Sequence, residues 1–120
     1  MPLLNFQKRF AEKVRTGEKR QSIRAYRKIP FKTGDKLYLY TGLRTKNTEK
    51  LGEGILIELY NIEIYEDEFL IRNIGLYNKT SKLDFFACED GFDNWQELIE
   101  WFGKAHGLPF QGQLLKWKLR

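Results

Sequence analysis

The chain has 120 residues, of which 42% are hydrophobic and 15% aromatic, enough to bury the core of one domain without covalent crosslinks. Its single cysteine, Cys88, excludes an intramolecular disulfide and a cysteine-based zinc site, so we expect no metal or other cofactor and a reducing, cytoplasmic location. Because no apolar run is long enough for a signal peptide or a bilayer span, we expect a soluble protein with no membrane partner.

The net charge of +5 is distributed unevenly along the chain. Residues 8–50 contain fourteen Lys or Arg and four Asp or Glu, a net charge of +10, whereas the remaining residues carry −5. This asymmetry indicates a surface that faces a polyanion, although solvated charge that segregates by chance is the alternative.

The first predicted element is an amphipathic helix. Phe6, Phe10 and Val14 recur every four residues, and Gly17 can end the helix in a left-handed cap. The basic stretch that follows, GEKRQSIRAYRK, is predicted to be a loop. After the turn residues TGD, the alternation in Lys36–Tyr40 predicts a strand.

Two or three antiparallel strands are predicted next, since aliphatic residues alternate with polar ones. The alternating positions are Ile55, Ile57, Leu59, Ile62 and Ile64. The acidic run Glu66–Glu68 is predicted to be a solvated hairpin turn rather than a cation site, and the last of these strands is placed at Phe69–Asn73.

A second helix is predicted from a capping-box arrangement of Asp93 as N-cap and Gln96 three residues later. Its apolar face comprises Trp95, Leu98, Ile99 and Phe102, and Gly107 closes it. His106, the only histidine, is assigned a structural or exposed role at the end of this helix.

The carboxyl-terminal segment GQLLKWKLR alternates between Leu or Trp and Lys, which predicts a strand that completes a sheet or barrel. The order helix, strands, helix, strand therefore predicts an α+β domain built around a small curled sheet or barrel.

Two basic segments are candidates for nucleic-acid binding, because Lys and Arg meet phosphates while neighbouring aromatic rings stack on bases. The first supplies Lys19, Arg20, Arg24, Arg27 and Lys28, and the second supplies Arg44, Lys46 and Lys50 with Tyr38 and Tyr40 just before them. Both flank one predicted strand, so we expect them to line a common groove, with packing as the equal alternative for Tyr40.

The order and spacing of several segments resemble the ASCH domain, a PUA-like family. The segments are the amphipathic helix, the run Gly17-x-Lys19-x-x-Ser22-Ile23-Arg24, the TGD turn, and the stretches LYLYTGLRTK, LGEGIL and ACEDGFDNWQELIEWF. The resemblance covers most of the chain. It implies one PUA-like domain over residues 1–120, a small curled β-barrel or sheet with two main flanking helices, and a cleft for RNA or nucleoside-like ligands.

Small bacterial members of this family are N4-acetylcytidine amidohydrolases that use a Lys, a Thr and a Glu. The resemblance implies Lys19 as the base and Ser22 as the nucleophile. The acid then falls at Asp90, or at Glu89 if the alignment slips by one residue. Arg24 or backbone amides would steady the oxyanion.

Each of these residues also has a structural interpretation. Lys19 can be solvated, Ser22 can bond within a turn, and Arg24 can pair with an acidic residue. The predicted function is therefore binding of RNA or of a modified cytidine nucleoside, with Arg24, Tyr40, Arg44 and Lys46 as ligand contacts and Arg20, Arg27 and Lys28 as phosphate contacts. Amidohydrolase activity is the alternative and ribonuclease activity a further one. A monomer is slightly favoured.

Overall fold

The computed structural model describes residues 2–120, which form an α+β arrangement of three helices and one mixed sheet of seven strands. In chain order the elements are β1 (Leu3–Phe6), α1 (Lys8–Thr16), β2 (Gln21–Arg24), β3 (Lys36–Thr41), β4 (Glu49–Ile64), β5 (Phe69–Ile71), β6 (Gly75–Tyr77), α2 (Thr80–Glu89), α3 (Trp95–Ala105) and β7 (Phe110–Leu119). Within this described part, no helix has the length and apolar character that a membrane crossing requires.

The long strand β4 organises the sheet. One edge of β4 pairs with β3 along its first half and with β5 near its end, and β5 pairs in turn with β6. The opposite edge of β4 pairs with β7, and β7 pairs in turn with β2. All of these pairings are antiparallel, whereas β1 adds to β3 in parallel. The main curved path is therefore β1-β3-β4-β7-β2.

The sheet does not close into a barrel. Of the two predicted forms, a curled sheet or a barrel, the structure therefore has an open sheet. No backbone ladder joins the two free edges, β1 and β2, among residues 2–120. A side chain crosses the gap instead, because the Arg24 guanidinium donates a hydrogen bond of 3.0 Å to the carbonyl of Asn5. We call this gap the seam.

A β-bulge interrupts the pairing of β4 with β7. The register shifts between Leu56 and Glu58, where β4 has one residue more than the partner strand. Leu56, Ile62 and Ile64 are buried, whereas Ile57 is 46% exposed. The predicted strand and the alternation at Ile62 and Ile64 are confirmed, but the placement of Ile57 on the buried face is wrong, because its neighbour Leu56 is buried instead.

The helices cover the sheet with apolar faces that the sequence largely predicts. Helix α1 packs on β1, β3 and β4 through buried Phe10 and Val14, and Gly17 ends it at φ 85° in the predicted left-handed cap. Helix α3 packs on α2 and buries Leu98 and Phe102.

Four sequence predictions require correction. Phe6 lies in β1 rather than in the first helix, because Gln7 is the extended N-cap residue of α1. The basic loop contains the strand β2, which pairs with β7. The last strand of the meander ends at Ile71 and a further strand, β6, follows it. The N-cap of α3 is Asn94, one residue after the predicted position, since its side chain accepts the Glu97 N–H at 2.9 Å.

Helix α2 is an element that the sequence analysis missed, so three helices rather than two flank the sheet. Its N-cap, Lys79, makes no side-chain capping bond, and Phe85 is 65% exposed beside buried Phe86. Without a cap signal or a clean apolar stripe, periodicity alone did not reveal it.

Candidate functional site

A small cleft lies at the seam, and we call it the Lys19 cleft. Its volume is about 190 Å³. The polar side chains that line it include Lys19, Ser22, Arg24 and Asp90, and its aromatic side is formed by Phe6, Phe10, Phe92, Trp101, Phe102 and His106. The cleft therefore brings together residues that are about seventy positions apart in the chain.

The turn after α1 positions the first group of polar residues. The left-handed cap at Gly17 reverses the chain, and the Lys19 N–H then bonds to the Lys13 carbonyl at 2.9 Å. Strand β2 begins two residues later, and because it is an edge strand its outer side is free of a backbone partner among the described residues. Ser22 and Arg24 of this strand line the cleft.

The end of α2 positions the acidic residue. Asp90 is the C-cap of α2, and Gly91 follows at φ 98°, a conformation that favours glycine. A Cβ atom on Gly91 would lie 2.8 Å from Cδ1 of Phe10 and 3.1 Å from Cδ of Lys19. Glycine here therefore allows the close approach of α2 to the Lys19 side chain.

Lys19 and Asp90 form a buried ion pair with side chains only 4% and 6% exposed. The Lys19 Nζ donates to the Asp90 backbone carbonyl at 2.5 Å and lies 3.4 Å from its Oδ1. The amide of Gln21, which is itself buried, donates to the same Oδ1 at 3.3 Å. Asp90 is thus held by two side chains from the segment that follows α1.

Burial shifts the pKa values of both partners toward the neutral forms. Desolvation lowers the pKa of Lys19 from its ordinary value, and the nearby Asp90 carboxylate opposes this only in part. Desolvation likewise raises the pKa of Asp90, against the opposing effects of Lys19 and Gln21. The ion pair and the neutral pair contain the same number of protons and differ by one transfer between the two side chains.

Arg24 holds the hydroxyl of Ser22. Its Nε donates to the Ser22 Oγ at 2.7 Å, while its Cζ lies 4.8 Å from the centroid of the Phe6 ring. Burial lowers the pKa of Arg24 to about 10, so the guanidinium is still charged at pH 7. Within residues 2–120, Ser22 makes no hydrogen bond to Lys19.

The structure separates the two candidate acids. Asp90 faces the Lys19 cleft, whereas Glu89 lines a second cavity of about 250 Å³ together with Arg20, Lys116 and Lys118. Consecutive residues at the end of a helix point in different directions, which accounts for the separation. Asp90 is thus the candidate acid that the fold places beside Lys19.

The predicted basic loop does not line the Lys19 cleft. Arg44 and Lys46 are exposed, and Tyr40 lies partly exposed on the outer face of β3. Other residues of this loop, including Thr41 and Thr45, wall a third cavity of about 770 Å³ that shares Asn5, Phe6 and Gln7 with the Lys19 cleft. The expected common groove is thus two adjacent cavities.

The remaining predicted phosphate contacts are also outside the cleft. Arg27 and Lys28 are exposed in the segment between β2 and β3, and the Arg27 guanidinium lies 4.6 Å from the centroid of the Phe31 ring. Arg20 is exposed beside Glu89. These three residues are therefore available to solvent rather than to a ligand in the Lys19 cleft.

The cleft contains residues that the sequence analysis did not assign to a site. His106, the C-cap residue of α3, lines it next to Trp101, and Phe92 lies nearby. Trp101 sits three residues after Leu98, at the margin of the apolar helix face, and this spacing is the only sequence signal for its position.

No group of three His, Cys, Asp or Glu side chains in the described residues is arranged to hold a metal ion. The groups that line the cleft are an amine, a hydroxyl, a guanidinium, a carboxyl group and aromatic rings.

Comparison of the chain with protein-family models, with curated proteins and with solved structures found no match.

Proposed function

We propose that the Lys19 cleft binds a modified cytidine, as a free nucleoside or as a single base within RNA. The observation that carries the proposal is the convergence of Lys19, Ser22, Arg24 and Asp90 on one small cleft. These are the positions at which the chain resembles the ligand-binding motif of ASCH domains. The curled sheet, with Arg24 bridging its free edges, supports a PUA-like architecture.

The size of the cleft favours a single base over an extended strand. Pockets for drug-sized ligands begin at about 300 Å³, and the volume here is about 190 Å³. The exposed basic residues that could follow a phosphate backbone, such as Arg44 and Lys46, lie elsewhere. Because the small cleft and the exposed basic residues are separate, a nucleoside or a single base turned out of a strand is a better candidate ligand than a polynucleotide bound along a groove.

The polar groups of the cleft match the edge of a cytosine ring. Lys19 and Arg24 are donors and suit the two acceptors of this edge, the O2 carbonyl oxygen and the ring nitrogen N3, and Asp90 is an acceptor for the exocyclic N4–H. Both side chains of the ion pair are largely withdrawn from water, which strengthens such contacts relative to exposed ones.

Calorimetric titration with N4-acetylcytidine and with cytidine tests this proposal. Loss of a hydrogen bond to a charged group costs about 1.5–3 kcal/mol, so Lys19→Met should bind roughly 10-fold to 150-fold more weakly. Lys28→Met is the matched control, because Lys28 is exposed and outside the cleft. Equal affinities for wild type and Lys19→Met would contradict the proposal.

Hydrolysis of the N4-acetyl group is a second candidate function, and the buried Lys19–Asp90 pair favours it. A base that is neutral near pH 7 and an acid that is protonated there are what amide cleavage requires. Burial shifts both pKa values in those directions. One proton transfer within the pair supplies both forms at once.

The proposed reaction proceeds in two halves. Ser22 Oγ attacks the acetyl carbonyl as its proton passes to neutral Lys19, and Arg24 stabilises the oxyanion. Collapse of the tetrahedral intermediate breaks the C–N bond, protonated Asp90 gives its proton to the departing cytidine nitrogen, and an acetyl ester remains on Ser22. Water then cleaves this ester to acetate, which restores the hydroxyl.

Mass spectrometry of wild type incubated with N4-acetylcytidine tests the second candidate. We expect cytidine and acetate in equal amounts from wild type and from Ser81→Ala, a control at an exposed serine on α2. We expect no cytidine from Ser22→Ala. Binding without any turnover by wild type would refute hydrolysis while leaving the binding proposal intact.

A further inference from the structure

The aromatic side of the Lys19 cleft contains a tryptophan in an unusual setting. Of the three tryptophans in the chain, Trp95 and Trp117 are 8% and 1% exposed, whereas Trp101 is only partly buried and lines the cleft. A large ring left at the margin of a cleft offers apolar area at a low cost in conformational entropy, because only two side-chain torsions must be fixed.

The rings around Trp101 make it a rigid wall. Its centroid lies 4.9 Å from that of Phe102, 6.1 Å from that of Phe92 and 5.7 Å from that of His106. Phe92 and Phe102 are 3% and 1% exposed, so they belong to the core and cannot move aside without disturbing it. His106 is packed in turn on Phe110, at 4.9 Å.

Two chemically different walls therefore face one small volume. The first carries the charged and hydroxyl groups of Lys19, Ser22, Arg24 and Asp90, and the second carries the rings of α3 and its C-cap. A ligand that satisfies both has polar atoms along its edge and an apolar face, which describes a planar heterocycle.

We infer that Trp101 is a ligand-binding residue that stacks on the base, and that the wall formed by Trp101 and His106 selects a planar aromatic ring. This inference rests on the proposed function. In it, residues of α3 contact the face of the base, while the polar groups of the opposite wall contact the edge of the base. His106 lies outside the segments by which the chain resembles ASCH domains, and Trp101 lies in one of them, ACEDGFDNWQELIEWF, where the resemblance implies no ligand-binding role for it.

Binding of N4-acetylcytidine to Trp101→Leu, Trp101→Phe and Phe85→Leu, each compared with wild type by calorimetry, tests the inference. A base–aromatic stack contributes enough that its loss weakens binding roughly 5-fold to 150-fold. We expect a loss in this range for Trp101→Leu, a much smaller loss for Trp101→Phe, which keeps a ring, and no change for Phe85→Leu, whose ring is exposed on α2 outside the cleft. Thermal melting of each variant establishes that it is folded.

Intrinsic fluorescence gives a second readout on the same samples. Nucleoside stacking on Trp101 should quench part of the emission of wild type, and Trp101→Phe should bind without that quench because Trp95 and Trp117 are buried. Folded Trp101→Leu that binds within twofold of wild type would overturn this inference alone. Absence of nucleoside binding by wild type would instead refute the proposed function, and the inference with it.

Discussion

Removal of either partner of the buried Lys19–Asp90 pair should destabilise the fold strongly, whereas removal of both should not. The Nζ and Oδ1 atoms are 3.4 Å apart, and the two side chains are almost completely withdrawn from solvent. Lys19→Met and Asp90→Asn each leave one buried charge without its counter-charge. The double variant leaves neither charge and keeps a similar volume.

The expected magnitudes follow from this geometry. At 3.4 Å and an effective dielectric constant of about 20, two unit charges attract by about 5 kcal/mol. Breaking such a pair from one side typically costs about 3–5 kcal/mol, a large part of the roughly 5–15 kcal/mol that stabilises a domain. We expect each single variant to lose about 3–5 kcal/mol and the double variant to lose less than either single variant.

The assay is urea unfolding followed by far-ultraviolet circular dichroism and tryptophan fluorescence, with the free energy of unfolding taken from midpoint and slope. The double-mutant cycle isolates the coupling between the two side chains. Single-variant losses that add in the double variant to within about 0.5 kcal/mol would refute the description of Lys19 and Asp90 as one interacting unit.

The pH dependence of the two single variants should have opposite signs. In Asp90→Asn, burial lowers the pKa of Lys19 without a carboxylate to oppose it, so the unfolded chain binds a proton more readily and stability rises as pH approaches 10.5. In Lys19→Met, the pKa of Asp90 is raised with less opposition, so stability falls as pH increases from 3.8 through that pKa. Parallel pH profiles would contradict this account.

Three further predictions concern the turn after α2, the N-cap of α3 and the loop after β3. Gly91→Ala should lose more than about 1 kcal/mol, measured by urea unfolding, because φ is 98° and the new Cβ would lie 2.8 Å from Phe10; an unchanged midpoint would contradict the close approach. Asn94→Ala should lose about 1 kcal/mol by removing the N-cap of α3, and a loss below 0.3 kcal/mol would show that the cap is dispensable. Arg44→Ala and Lys46→Ala should bind N4-acetylcytidine within twofold of wild type in calorimetric titrations, since both residues are exposed outside the cleft; a larger loss would place the ligand against the loop.

The predictions that the structure confirms depend on local signals. The cap at Gly17, the strand after the TGD turn and the alternating terminal strand are each specified by residues within a few positions of one another. The sequence places the N-cap of α3 one residue too early, at Asp93, because Asp93 and Asn94 are both favourable N-cap residues. In the structure it is the Asn94 side chain that accepts the Glu97 N–H.

The features that the sequence could not specify depend on distant parts of the chain. Strand β2 exists because it pairs with β7, more than ninety positions away for three of its four residues, and its basic composition carries no strand pattern of its own. The separation of Asp90 from Glu89 likewise depends on how α2 ends against Lys19 and Phe10. Trp101 and His106 join the cleft only because the fold brings the end of α3 beside residues of β1 and β2 there.

The motif of Lys19, Ser22 and Arg24 was predicted as one side of a groove whose other side was the Tyr40–Lys46 loop. The structure places α2 and α3 on that other side instead. The second wall of the cleft therefore contains a buried carboxylate and aromatic rings rather than exposed cations. Such a lining favours a single heterocycle over a phosphate backbone as the ligand.

Backbone amide chemical-shift mapping during titration with N4-acetylcytidine tests the central claim most directly. We expect the largest shifts to cluster at residues 19–25, 90–92 and 101–106, the segments that supply most of the lining of the Lys19 cleft. Shifts confined to residues 40–46 or 27–28, or no shifts at saturating nucleoside, would contradict it.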